Sequence, residues 1–191
     1  MNKDGQDKLK DNIRALVPKY LIEVINRDVK HFSVSRYKLC NDILVKFSLK
    51  FRSNYCQDMM SFEQGEYLQF NLYKQNIVYY NGLRKGIDGI TESEMIREIF
   101  SSYGILPPFL REINLFREKI AFLISAQKEY RVLKIHTRTG IAEGRIKSIY
   151  RNEDTDYLMI SVDENSYYIS QIEIIGWYKR ELWNKRAKTP L

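Results

Sequence analysis

Residues 11–17 alternate with a period of two, Ile13, Ala15 and Val17 against Asn12, Arg14 and Leu16, which predicts a strand with two chemically different faces. Pro18 lacks an N–H and has a fixed φ, so it ends the strand and opens a helix at no hydrogen-bond cost. Leu21, Val24, Ile25 and Val29 then recur at helical spacing. Ser33 or Ser35 caps a second helix whose apolar set is Leu39, Cys40, Ile43, Leu44 and Phe47, running on towards Leu49 and Phe51. Residues 52–66 lose periodicity and read as a connector.

The pattern then repeats. Leu68, Phe70 and Leu72 alternate with Gln69, Asn71 and Tyr73, and Ile77, Tyr80 and Leu83 follow in helical phase up to Gly86 and Gly89. Thr91 with Glu94 three residues later predicts a capping box. The next helix places Met95, Ile96, Ile99, Phe100 and Tyr103 at a constant 56 residues after Leu39, Cys40, Ile43, Leu44 and Phe47. The strands align one residue further apart, matching Asn12 with Gln69 and Arg14 with Asn71. This is the pattern of an internal duplication, and it predicts that Ile13 and Phe70 lie on one two-stranded ribbon.

Gly104 and the pair Pro107-Pro108 mark a boundary. Residues 109–130 read as one long amphipathic helix, with Leu110, Ile113, Phe116, Ile120, Leu123 and Ile124 on one side and Arg111, Glu112, Arg117, Glu118 and Lys119 on the other. From 131 to 177 short strand-like segments are closed by turn signals at Arg138-Thr139-Gly140, Arg151–Asp154 and Asp163–Asn165, which predicts a small five-stranded barrel. Between Trp177 and Lys188 aromatic and basic residues interleave, suiting either base stacking or a terminal helix docked through Leu182 and Trp183. The expected organisation is α+β: a mobile tail (1–10), a strand-helix-helix region (11–104), a linker helix (105–130), a barrel (131–178) and a basic tail (179–191).

Residues 11–47 resemble the ribbon-helix-helix family of DNA-binding proteins, through the strand before Pro18 and Ser33-Val34-Ser35-Arg36 with Leu39 and Ile43. The resemblance implies two units whose strands pair antiparallel and enter the major groove. Two copies in one chain imply a tandem, intramolecular pair, and a single copy implies a homodimer. Base contact falls on Asn12, Arg14 and Leu16 and, through the repeat, on Gln69, Asn71 and Tyr73; Leu16 departs from the family's long polar residue. Residues 117–172 resemble a WYL domain, a Sm-like barrel, through the helix leading into Val132–Ile135, the pair Tyr157-Leu158 and the run Tyr167–Ile172. The family's tripeptide stands here as Asp156-Tyr157-Leu158, and Tyr168 and Gln171 replace its usual arginines. Residues 92–112 resemble the linker that joins such units in bacterial regulators. A site for an anionic ligand or nucleic acid on the barrel is implied, at Tyr157, Tyr168 and Gln171, with positive charge from His136, Arg138, Arg145, Lys147 and Arg151. Alternation puts His136 with Arg138, and Arg145 with Lys147, on shared faces.

Composition narrows the function classes. At 191 residues, 44% hydrophobic and 29% charged, the chain has the balance of a folded, soluble protein with a real core. Lys and Arg outnumber Asp and Glu by 31 to 24, a formal charge of +7 that suits a polyanionic partner, and 14 tyrosines suit stacking as well as packing. Cys40 and Cys56 form neither a disulfide framework nor a zinc spacing, and Cys40 sits on an apolar helix face. A polar N-terminus and the lack of a membrane-spanning apolar run point to the cytoplasm.

His31 and His136 fall in different regions; no hydrolytic triad, HExxH helix or P-loop is present; Gly140–Gly144 lacks the Lys-Ser/Thr ending; and Glu153, Asp154 and Asp156 sit in a turn. No enzyme, cofactor or metal is expected. The expected function is a DNA-binding regulator with a ligand- or nucleic-acid-sensing barrel. The alternative implied by the resemblance is an accessory protein that binds single-stranded RNA and stimulates an RNA-targeting CRISPR effector. A pure protein-interaction module is the third reading.

Overall fold

The computed structural model describes residues 9–48, 64–86 and 89–179. The Leu49 and Phe51 extension, Cys56, most of the connector, the N-terminal tail to residue 8 and the basic tail from 180 lie outside them. The chain divides into two units, Met1–Leu115 and Phe116–Leu191.

In the first unit, β1 (Asn12–Pro18) buries Ile13, Ala15 and Val17 and exposes the residues between them. Pro18 closes the strand and α1 (Lys19–Phe32) starts at the next residue. Ser33 adopts the left-handed conformation that ends α1, and Ser35 caps α2 (Arg36–Ser48) by accepting from the Lys38 N–H at 3.1 Å. The second copy follows as β2 (Gly65–Asn71), α3 (Lys74–Lys85) and α4 (Glu92–Gly104). The Thr91–Glu94 capping box is formed in both directions. All ten helix residues at the constant offset are buried, and α2 packs on α4.

β1 and β2 pair antiparallel with Ile13 opposite Phe70, so the ribbon forms within one chain. Pairing within a chain brings its unlike strands together, Asn12 opposite Asn71 and Arg14 opposite Gln69. Ile13, Ala15 and Val17 with Leu68 and Phe70 point into a core shared with Phe100, whose ring lies 5.9 Å from that of Phe70.

The expected helix over 109–130 is two helices, α5 (Pro108–Leu115) and α6 (Arg117–Lys128), broken at Phe116 (φ −118°, ψ 30°). At the break the Leu115 carbonyl accepts from the Lys46 ammonium, a partner that periodicity does not reveal. In α5 the buried set is Arg111, Glu112 and Leu115, so charges expected on the solvent side face inward. Arg111 makes a bidentate pair with Asp28 of α1, Nε to Oδ2 at 2.7 Å and Nη2 to Oδ1 at 3.1 Å. The Tyr103 hydroxyl also donates to Asp28, and Arg111 Nη1 donates to the Leu106 carbonyl.

In the second unit α6 is followed by β3 (Arg131–Thr137), β4 (Gly140–Arg151), β5 (Leu158–Val162), β6 (Asn165–Tyr168), a 3-10 turn (Ile169–Gln171) and β7 (Glu173–Lys179). The five strands lie in the order β6-β5-β4-β3-β7, all antiparallel. The α+β class stands, with six helices among the described residues, but the closed five-stranded Sm-like barrel is corrected, because this sheet is open. β6 has only four residues before the 3-10 turn bends the chain away, and β7 pairs with β3 alone among the described residues. Lys119 of α6 fixes that turn by donating to the carbonyls of Ile169 and Ile172 at 3.2 and 2.8 Å. Turn signals predict strands, but they do not say whether the last strand returns to the first.

Candidate nucleic-acid interface

The pleat of the ribbon sorts its side chains. Because ladder partners point to the same side, the rungs Asn12–Asn71, Arg14–Gln69 and Leu16–Tyr67 share the face opposite the core. All six residues are exposed, Leu16 at 37% and Tyr67 at 56%. Five of them are the expected ribbon residues Asn12, Arg14, Leu16, Gln69 and Asn71. The sixth, Tyr67, opens the strand-like run and was not singled out; its parity with Gln69 was the available signal. Tyr73, expected on this face, has left the strand. It precedes α3 and packs its ring edge-on against Tyr37 at 4.5 Å. After a last bond in ladder register from the Leu72 N–H to the Asp11 carbonyl, the Tyr73 N–H turns to the Asn41 side chain and α3 begins at Lys74.

The Arg14 guanidinium lies over the Tyr67 ring, 4.4 Å from its centroid. A cation held on an aromatic face keeps its N–H edges free for acceptors while losing rotamer freedom in advance.

Three contacts anchor the ribbon from below. Asn41 of α2 is fully buried; its amide donates to the carbonyls of Tyr37 and Asn71 and accepts from the Tyr73 N–H and the Asn76 amide, at 2.9 to 3.0 Å. Arg97, at the matching position of α4, donates to the Leu16 carbonyl at 3.4 Å. Asn81 of α3 exchanges two hydrogen bonds with the backbone of Lys10, just before β1. The Lys10 ammonium continues to Glu92 at 2.6 Å, where the Tyr80 hydroxyl also donates. Burial, then the hydrogen bond to Glu92, pushes the Tyr80 phenol well above its usual range. Lys10, assigned to the mobile tail by its composition, is thus held at both backbone and side chain.

The residues expected on the barrel are not brought into one pocket. His136 is exposed on β3, between Ile141 and Glu173, and Arg138 lies in the following turn. Arg145 stands opposite Val132, and its backbone N–H donates to Asp163 at 3.2 Å. Lys147 is exposed at the register shift between Ile146 and Ser148. Arg151 pairs with Asp156 at 2.5 Å, at the other end of β4. Ten residues of strand separate Ile141 from Arg151, roughly 33 Å at the usual rise. Tyr157 is buried, Tyr168 lies with its hydroxyl 3.3 Å from that of Thr155, and Gln171 is in the 3-10 turn. Among the described residues no cluster of three His, Cys, Asp or Glu side chains is placed to hold a metal, and no helix is long and apolar enough to cross a membrane.

Fold and site together define a two-unit α+β protein whose first unit displays a polar-faced two-stranded ribbon and whose second is an open antiparallel sheet with one helix. Its fold is similar to that of a crystal structure described as a CRISPR Cas-related protein, with a TM-score of 0.63 over 94% of this chain and 67% of that one. The two sequences are 12% identical, so the likeness is one of fold. No family model and no curated protein matches the sequence.

Proposed function

We propose that this chain is a non-enzymatic, CRISPR-associated nucleic-acid-binding regulator whose β1–β2 ribbon reads duplex DNA. One observation carries the reading: the ladder puts Asn12, Arg14, Gln69 and Asn71 together on a face that is exposed among the described residues. Arginine, asparagine and glutamine are the side chains that bond bidentately to purine edges, and a two-stranded ribbon fits the major groove. The ribbon-helix-helix resemblance of residues 11–47, the formal charge of +7 and the CRISPR Cas-related structural neighbour support it. Affinity comes mainly from phosphates and is salt-dependent, while the ribbon supplies preference among sequences.

Binding of duplex DNA, single-stranded DNA and single-stranded RNA, each followed across a salt series, tests the proposal. Duplex should bind best, and Arg14→Ala should weaken it by about 1–3 kcal/mol. Duplex affinity unchanged by Arg14→Ala at moderate salt would sink it.

A second reading has its own observation. Tyr150 and Tyr178 are large exposed aromatics on the open sheet, and a sheet bearing such rings suits stacking of unpaired bases. In this reading the chain binds single-stranded RNA and acts on an RNA-targeting CRISPR effector. Preference for single strands, lost on combined substitution of His136, Arg138 and Lys147, would select it.

A further inference from the structure

We infer that the ribbon recognises a non-palindromic duplex site, read in one orientation by a single chain. The inference rests on the reading of the ribbon as a DNA-contacting face and adds the class of site it takes.

The seven-rung ladder has Ala15–Leu68 as its middle rung, and both of those side chains point into the core. The outer face is therefore divided at its centre. Towards one end lie Arg14–Gln69 and Asn12–Asn71; towards the other lies Leu16–Tyr67, with Pro18–Gly65 closing the ladder. The duplication matches Asn12 with Gln69 and Arg14 with Asn71, so its axis passes through the Ile13–Phe70 rung, and two identical strands paired about that axis would present the same residue at 12 and 69 and again at 14 and 71. Here those matched residues differ, and Leu16 has no counterpart on the ribbon, because Tyr73 has left the strand. One end of the face is polar and carries its cation, and the other is apolar.

The chemistry of base edges follows this division. Arginine bonds bidentately to the O6 and N7 of guanine, asparagine and glutamine to the N6 and N7 of adenine, and an aliphatic side chain packs on the thymine methyl. The polar end thus suits purines and the Leu16 end suits thymine. Tyr67 is a positioning residue, since its ring holds the guanidinium of Arg14 at 4.4 Å. From Asn12 to Leu16 the outer face extends roughly 13 Å, about four base-pair steps. Symmetric ribbons made from two chains need symmetric sites, because each half repeats the other. A ribbon drawn from two unlike strands of one chain carries no such requirement.

Selection of binders from a randomised duplex library, using the full chain at moderate salt, tests this. The expected motif is about four base pairs long, purine-rich at one end and thymine-bearing at the other. Inverting one half of it should weaken binding about tenfold. Arg14→Ala should relax preference at the purine end alone. The exchange Asn12→Gln with Asn71→Arg makes the residues matched about the Ile13–Phe70 rung alike, touches no buried residue, and should turn the purine-reading part of the selected motif into a palindrome. A palindrome from the unaltered chain, or duplex binding with no motif, would overturn the asymmetry while leaving the ribbon as the contact face. Failure to bind any duplex would remove the DNA reading and this inference with it.

Discussion

Phe47 and Tyr103 meet edge to face, ring centroids 5.2 Å apart and planes at 89°. They are also the last of the five pairs at the 56-residue offset, so equivalent positions of the two copies touch across α2 and α4. Tyr103 adds a hydroxyl that donates to Asp28. Tyr103→Phe should keep the ring contact and cost about 1–3 kcal/mol by leaving a buried acceptor short of a donor. Phe47→Ala should cost about 3–5 kcal/mol through the lost ring and the cavity. Denaturant unfolding of both variants checks the order.

The Asp28–Arg111 pair ties α5 to α1 with both side chains out of water. Arg111→Met is expected to destabilise by about 3–5 kcal/mol, because it strands a buried carboxylate. Adding Asp28→Asn should recover part of that loss. No recovery in the double variant would mean that Arg111 acts through its packing alone.

Asn41 holds the end of β2 and the start of α3 through a single buried amide. Asn41→Leu preserves the approximate volume and removes every one of those bonds, exposing the Tyr73 N–H to exchange. Hydrogen exchange should rise at Tyr73 and Asn76 before it rises in α1, with a stability loss of about 1–3 kcal/mol for each group left unpaired.

Burial pushes the Cys40 thiol from near 9.0 up to about 12, against the opposing pull of the nearby Arg36. A raised folded-state value means that the fold binds this proton more tightly than the unfolded chain. The contribution is therefore complete below about pH 9 and drains away as pH climbs towards 12. Stability of the parent chain should fall as pH rises from about 9 towards about 12, and Cys40→Ala should flatten that fall. The thiol should also resist alkylation until the chain is unfolded.

Much of the first unit was legible because its periodicities are local. Period-two burial in β1, Pro18 at the strand end, the Thr91–Glu94 box and the ten helix residues at the 56-residue offset each follow from short stretches. The rest depended on partners distant in the chain. Arg111 and Glu112 read as solvent charges because periodicity ranks polarity, not whether a counter-ion such as Asp28 waits across the core. Asn41 and Asn76 gave no signal for the same reason. In the second unit the strands were legible and their closure was not, since closure depends on how β6 and β7 meet. The register shift between Ile146 and Ser148 is a local irregularity that a period-two pattern does not signal. Gly144 marks where the sheet is tightest: an added Cβ there would run into Asp163 and Val162.

A ribbon whose two strands belong to one chain assembles by a first-order process. Dilution therefore does not dissolve it, and target occupancy should rise in proportion to protein concentration rather than to its square. Under the DNA reading proposed above, one chain supplies both strands of the contact face, so no second copy is needed to form it.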